Sequence, residues 1–364
     1  MNRQQRGDAL SFFLPGRKIL SVAPLGDGNV NDTWLVEVDL PEKFVLQRLN
    51  PHVFAAPSLV QDNLYKVSRH LQKYAPDNTG NFVPVRLLAD PKGDYSYIAG
   101  DGSYWRLLSY IGNSSSHNSI HSTEQAREIG KALGLFHRLM SPFAASSLAD
   151  PLPGFHCTPL SLEKYDKSAA TSPERATEDC LDFIQDRRKD VSLLEDSRQQ
   201  GEITQQVIHG DPKVANFLFS KDGSRVTSLI DLDTVRPGLL LHDIGDCLRS
   251  CCNPAGEEIH NRETVRFSPE LFSAALTGYF QVASALISSA DHRLLVDSVR
   301  LISFELGLRF YTDYLNGNTY FKVEHKKHNL FRARIQFALV QSIEEQYSEL
   351  ENICTTLLTT VPAV

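Results

Sequence analysis

The stretch VIHGDPKVANFLFSKDGSRVTSLIDLDT, residues 207–234, decides how the rest of the chain is read. It begins as a loop, passes into an apolar run at Phe217–Ser220, turns at Lys221-Asp222-Gly223-Ser224 and continues as a second run at Arg225–Ile230. That pattern predicts a β-hairpin. A hairpin here carries Asp211 and Asn216, which precede it, to the same edge as Asp231, which follows it. Three oxygen-bearing side chains at one edge suit a magnesium–nucleotide complex, because Mg²⁺ takes hard oxygen ligands and leaves part of its shell to phosphates and water. The alternative for Asp211 and Asn216 is a loop closed by Asx hydrogen bonds.

The flanking segments divide the chain in two. Before the hairpin, KILSVAP (18–24), DTWLVEV (32–38), FVLQRL (44–49), VPVRLLA (83–89), YSYI (95–98) and YWRLLSYI (104–111) read as short strands. They are separated by the turn signals GDGN, DLPEK, PKGD and AGDGS. One amphipathic helix near Ser58–Tyr74, with Leu59, Leu64, Val67 and Leu71 at helical spacing, is inserted after the third strand.

Beyond the polar run GNSSSHNS (112–119) the pattern turns helical. In 122–140, Ser122 is a capping residue, and Ile129, Leu133, Phe136 and Leu139 form an apolar stripe. Ser172-Pro173-Glu174 and Ser268-Pro269-Glu270 each predict a helix start, with a capping hydroxyl, a proline at the first helical position and an acid in the first turn. Helices near Asp291–Leu315 and His325–Glu351 follow. The expected fold is α+β and two-lobed: an antiparallel β-rich lobe over 1–110, a helical lobe over 111–364, and a crossing near Ser109–Gly112.

Composition sets the outer limits. The 364 residues are 41% hydrophobic and 22% charged, with 37 Lys+Arg against 44 Asp+Glu and a formal charge of −7. Such a chain is an ordinary globular protein, and its acidic balance argues against bare nucleic acid or anionic lipid as a primary partner. No apolar run reaches the ~20 residues of a membrane helix, and the first residues lack a secretory apolar region, so a cytoplasmic location is expected. Six cysteines are too few for a disulfide scaffold, and Cys247, Cys251 and Cys252 read as small apolar side chains of a buried helix. Oligomeric state is not legible.

His209-Gly210-Asp211, four intervening residues and Asn216, followed by a hairpin and Asp231, reproduces the catalytic-loop spacing of kinase-like phosphotransferases. With LIDLDTVRPG and LHDIGD, the chain resembles the aminoglycoside phosphotransferase-type family of small-molecule kinases. It resembles most closely the N-acetylhexosamine 1-kinase branch, through GDGNVNDTWLV, IDLDTVRPG and LGLRFYTDYLNGNTYF (306–321). The resemblance implies a protein-kinase-like fold, ATP as co-substrate with Mg²⁺, and an amino-sugar acceptor phosphorylated on its anomeric hydroxyl.

The resemblance also implies roles for individual residues. Asp211 accepts or orients the acceptor hydroxyl, and Asn216 and Asp231 hold Mg²⁺. Asp233 takes a second ion or a sugar hydroxyl. Gly26, Asp27 and Gly28 cover the phosphates with backbone N–H groups, and Asn29 lies near the sugar at a position where the family carries histidine. His209 is read as a brace of the loop rather than a base, and Asp243 and Asp246 as caps or braces.

One departure concerns the third strand, where kinase-like proteins carry a phosphate-binding lysine. Gln47 occupies that slot, Arg48 points to the other face, and the following helix offers Asp62 but no glutamate. The acceptor pocket is expected from the helical lobe. There Arg309 and Asp313 either pair with each other or reach a sugar, and Tyr320 and Trp105 are candidates to stack on it. The resemblance favours the sugar role for Arg309 and Tyr320. Cations outnumber acids between 309 and 334, the wrong sign for a polycationic acceptor. Two other functions fit the same motifs: a kinase of another small hydroxyl compound such as choline, homoserine or an aminoglycoside, and a nucleotide-binding pseudokinase.

Overall fold

The computed structural model describes residues 3–26, 30–75, 82–172, 177–259 and 261–360. Helix α1 (Arg3–Phe13) precedes β1 (Ile19–Pro24), β2 (Asp32–Val38) and β3 (Lys43–Arg48). Helix α2 (Pro57–Tyr74) then leads to β4 (Leu87–Leu88), β5 (Tyr97–Ile98) and β6 (Tyr104–Ser109). These strands form one antiparallel sheet in the order β1-β2-β3-β6-β4, with β5 also paired to β6.

Strand alternation gives this sheet two different faces. Trp34, Val36, Leu46, Trp105 and Leu107 pack with Ala9, Leu10 and Phe13 of α1, and the two indoles stack at 5.5 Å. Trp105 is 1% exposed and its indole N–H donates to Ser103 Oγ at 2.9 Å, so it stacks on Trp34 and not on a sugar. The opposite face carries Gln47 and Arg106, adjacent across the β3–β6 ladder.

The helical lobe comprises β7 (Ser114–Ser115), α3 (Thr123–Met140), α4 (Thr158–Thr171), α5 (Glu178–Arg187) and α6 (Leu193–Gln199). There follow β8 (Gln205–Ile208), β9 (Phe217–Ser220), β10 (Val226–Leu229), β11 (Arg236–Leu239) and α7 (Leu240–Cys251). The last helices are α8 (Pro269–Ala283), α9 (Ser289–Arg293), α10 (Leu295–Leu315), α11 (His328–Glu345) and α12 (Tyr347–Thr360). The hairpin read from the sequence is β9–β10, and the polar run supplies β7, which pairs with β9.

Ser122 and Ser268 cap α3 and α8 by accepting from Gln125 N and Leu271 N. Ser172 differs: it ends α4 and donates to Leu315 O at 2.6 Å, and the next helix begins at Glu178, while Pro173 and Glu174 lie outside the described residues. A hydroxyl before proline can close one helix as readily as open another, because the residue before proline favours extended backbone. The long terminal segments are each divided, at Leu294 and at Gln346.

Helices α3 and α8 approach closely because both carry glycine at the crossing. A Cβ on Gly130 would lie 1.9 Å from Ala275 O, and one on Gly278 2.0 Å from Arg127 O. The core continues from α3, α7 and α8 to Leu64, Val67 and Leu71 of α2, so α2 is held to the helical lobe as well as to the sheet. Asn63 of α2, fully buried, donates to Ala149 O and Val235 O at 2.8 and 2.9 Å. Cys247, Cys251 and Cys252 are buried free thiols on and just beyond α7. Among the described residues no helix is long and apolar enough to cross a membrane.

Candidate active site

Strand β8 delivers the chain to His209, and three side chains fix the loop that follows. Asp243 on α7 accepts His209 N at 2.6 Å and Gly210 N at 2.8 Å. Its Oδ2 also accepts from His137 Nε2 at 2.9 Å, and Tyr279 donates its hydroxyl to His137 Nδ1 at 2.9 Å. Burial works to raise the Asp243 carboxyl, but these donors hold it below the usual carboxylate range. Gly210 has φ +89°, and a Cβ there would stand 2.6 Å from Thr234 O, so the loop can pass this close to the 232–234 turn only with glycine.

His209 is fully buried and both ring nitrogens are engaged. Nε2 donates to Ile230 O at 2.9 Å, and Nδ1 accepts from Asp211 N at 3.3 Å. Burial lowers its pKa, favouring the neutral ring that this pattern requires. The geometry is that of a brace between the loop and the hairpin. Asp246, by contrast, pairs with Arg249 at 2.8 Å.

Asp211 projects from the braced loop, and Lys213, two residues on, places Nζ 2.7 Å from its Oδ2. Burial pushes the carboxyl up, but the lysine more than offsets this, so its pKa falls below the ordinary value. The Lys213 ammonium is held protonated against burial by Asp211 and Asp231. Asn216 Nδ2 donates to Asp211 O at 2.7 Å, leaving the amide oxygen as the atom that could ligate a cation.

Ile230 N donates to Asn216 O at 2.9 Å, which sets Asp231 beside the end of the loop. Asp231 occupies the left-handed region at φ 68°, ψ 56°, uncommon for a residue with a side chain and typical of functional turns. Its carboxyl is pushed up to about 7 by the protein atoms around it and by the Asp233 carboxylate. Asp231 nevertheless opens on the cleft, where water tempers that effect. An Asn oxygen and the Asp231 carboxylate, unpaired among the described residues, fit a divalent cation that keeps several ligand positions for phosphates and water.

Asp233 is 3% exposed and both of its oxygens are engaged. Oδ1 pairs with Arg106 Nη2, and Oδ2 accepts from Asn31 Nδ2 at 2.6 Å. Gln47 lies on the cleft face as read, but its side-chain oxygen accepts from Arg106 Nε and Nη2 at 2.9 and 2.6 Å. Arg48 lies on the other face and pairs with Asp32 at 2.6 Å. Asp62 pairs with Lys66 at 2.7 Å on the exposed side of α2. Of the β1–β2 loop, Gly26 is in place with φ +70°, while Asp27, Gly28 and Asn29 lie outside the described residues.

On the acceptor side, Asp313 does not pair with Arg309. It accepts Thr319 N, Tyr320 N and Phe321 N at 2.8, 2.8 and 2.9 Å and Asn329 Nδ2 at 2.8 Å, so it folds the turn after α10. The Arg309 guanidinium instead lies 4.6 Å from the Phe155 ring centre, 5.9 Å from Tyr320 and 5.6 Å from Phe321. Tyr320 is 39% exposed. His156, at φ +58°, donates its Nε2 to Gly210 O at 2.8 Å, while its backbone N–H is held by Glu305 at 3.1 Å. Arg309, Phe155 and Tyr320 are thereby coupled to the loop that bears Asp211.

The cation excess beyond 309 is partly spoken for. Arg332 pairs with Glu258 at 2.6 Å and Arg334 with Asp179 at 2.9 Å. Sequence reasoning passed over Arg106, Asn31, Lys213, Phe155, His156 and Glu305. A signal existed for Arg106, an arginine inside the apolar strand YWRLLS, and for Lys213, two residues from Asp211.

A family model described as the phosphotransferase enzyme family matches residues 21–276. The fold is shared with a crystal structure of an aminoglycoside phosphotransferase from Alicyclobacillus acidocaldarius at TM-score 0.60 and 15% identity, covering 98% of this chain and 96% of that one. It is shared with amicoumacin kinase in complex with AMP-PNP, Ca²⁺ and Ami, at 0.62 and 15% identity over 95% and 94%. Choline kinase from Cryptosporidium parvum Iowa II matches at 0.60 and 14% identity over 93% of each chain. The matched span holds the cleft face of the sheet, the braced loop and the hairpin, and the two-lobed chain belongs to the phosphotransferase enzyme family.

Proposed function

We propose that this kinase uses ATP and Mg²⁺ to phosphorylate the anomeric hydroxyl of an N-acetylhexosamine, with residues 1–110 covering the nucleotide and residues 111–364 carrying the loop and acceptor pocket. Phosphoryl transfer asks a protein chiefly to position groups and balance charge around a loose transition state. Asp211 takes the proton of the acceptor hydroxyl as its oxygen bonds to the γ-phosphorus and the bond to the β,γ-bridging oxygen breaks. Lys213, 2.7 Å from Asp211, keeps that carboxylate ionised and brings positive charge to the transfer point. Asn216 and Asp231 would hold Mg²⁺, which when bound neutralises phosphate charge. The backbone of Gly26–Gly28 covers the phosphates.

The observation that carries the acceptor reading is the Arg309–Phe155–Tyr320 cluster coupled to Gly210 through His156. Aromatic faces and one cation suit a neutral sugar ring, with Arg309 and Tyr320 as its contacts and Asn29 beside it. An ammonium-rich acceptor would instead need free carboxylates, and Asp313 is occupied by backbone and side-chain donors. Asp233, with both oxygens engaged, serves this reading by holding Arg106 beside the nucleotide end of the cleft. Coupled measurement of ADP release across N-acetylated and plain hexoses, choline, homoserine and kanamycin tests the proposal. Turnover confined to N-acetylhexosamines supports it, and preference for any other acceptor refutes it.

A further inference from the structure

We propose that Arg106 supplies, from β6, the phosphate-facing cation that β3 lacks, and that Gln47 and Asp233 hold its guanidinium in place for that contact. This inference rests on the nucleotide occupying the cleft but not on the identity of the acceptor.

Thr33, Gln47 and Arg106 lie side by side across β2, β3 and β6, on the sheet face that meets Asp233 of the helical lobe. Arg106 is 1% exposed. An arginine this buried in a strand is costly unless its charge and its N–H groups are used. Nε and Nη2 are used: both donate to Gln47 Oε1, and Nη2 also pairs with Asp233. Nη1 is buried and has no partner among the described residues. A buried unpaired donor on a fully charged group is rare in a resting structure, and here it is the part of the fork free to take a phosphate oxygen.

The identity of residue 47 follows from the same geometry. A lysine at 47 would face Arg106 directly across the ladder, setting like charges opposite each other, and its ammonium could not accept from the guanidinium. Glutamine offers an uncharged acceptor. Glutamine at 47 and arginine at 106 therefore form one compatible pair, with the cation one strand over in the same row. Asp233, two residues beyond Asp231, ties the relocated cation to the segment that bears the metal-facing acid.

Affinity for ATP and for adenosine, measured by calorimetry on the full chain without acceptor, separates this role from a structural one. The double variant Arg106→Gln/Asp233→Asn removes both buried charges together, so neither is stranded. It should bind ATP roughly 10- to 100-fold more weakly while adenosine affinity stays within about twofold, the scale of one or two charge-assisted hydrogen bonds. Adding Gln47→Lys to that variant should recover part of the ATP affinity. Unchanged ATP affinity in the folded variant, or equal loss for ATP and adenosine, overturns the proposal. A second test needs no folded variant of Arg106→Gln. In the wild-type protein, the guanidinium resonance assigned by its loss in Arg106→Lys should shift on addition of ATP and not of adenosine; absence of that shift overturns the proposal too.

Discussion

The Lys213 ammonium stands 2.7 Å from the carboxylate of Asp211, two residues earlier on the same loop, so a carboxylate and a positive charge are delivered to one point by a single turn of chain. Asp211→Asn keeps the shape and removes the base that the proposed mechanism requires. Its kcat should fall about 10²- to 10⁴-fold with ATP affinity and melting temperature near wild type. Turnover near the wild-type rate in a steady-state assay would rule Asp211 out as the base.

Asp243 tests the brace. Asp243→Ala strands His209 N, Gly210 N and the His137 ring inside the core, and should cost about 3–5 kcal/mol in urea unfolding. A loss under 1 kcal/mol would mean that the loop holds itself without α7.

Asp231 gives a pH dependence whose sign is set by its raised carboxyl. In metal-free protein the raised carboxyl keeps its proton to higher pH than in the unfolded chain, where it ionises near the ordinary value of 3.8. Its contribution therefore favours folding at low pH and is lost as pH rises towards 7. Asp231→Asn should melt higher than wild type at pH 8 in chelator, with the gap closing towards pH 4, while turnover is abolished. A gap constant with pH would contradict the electrostatic cause.

Much of the site was legible because it is local in the chain. Residues 209–234 contain the loop, the hairpin and the acid that follows, and the distances between them are set by turn chemistry and one ladder. What escaped were contacts made by distant segments. Arg106 and Asp233 are 127 residues apart, and only the sheet pairing shows that Gln47 and Arg106 share a row. Arg309 and Asp313 sit one turn apart on α10, which suggested an ion pair. The backbone N–H groups of 319–321 outcompete the guanidinium for that carboxylate, and no periodicity encodes such a turn. Helix α1 and the β8–β11 pair were equally hidden, since the first is short and the second pairs across 28 or more residues.

Arg309 and Tyr320 should act on the acceptor alone. Arg309→Met and Tyr320→Leu are each expected to raise the acceptor KM about 5- to 30-fold, the scale of a lost cation–π or stacking contact, with the KM for ATP unchanged. Equal effects on both substrates in initial-rate assays would instead point to a general loosening of the turn after α10.

The most direct test of the account is phosphorus NMR of the product formed from ATP, Mg²⁺ and N-acetylglucosamine or N-acetylgalactosamine, with Asp211→Asn as the control. The account predicts a single sugar phosphate whose phosphorus couples to the anomeric proton, formed by wild type and not by the control. Phosphate on any other oxygen, or no sugar phosphate while another acceptor in the panel turns over, would contradict it.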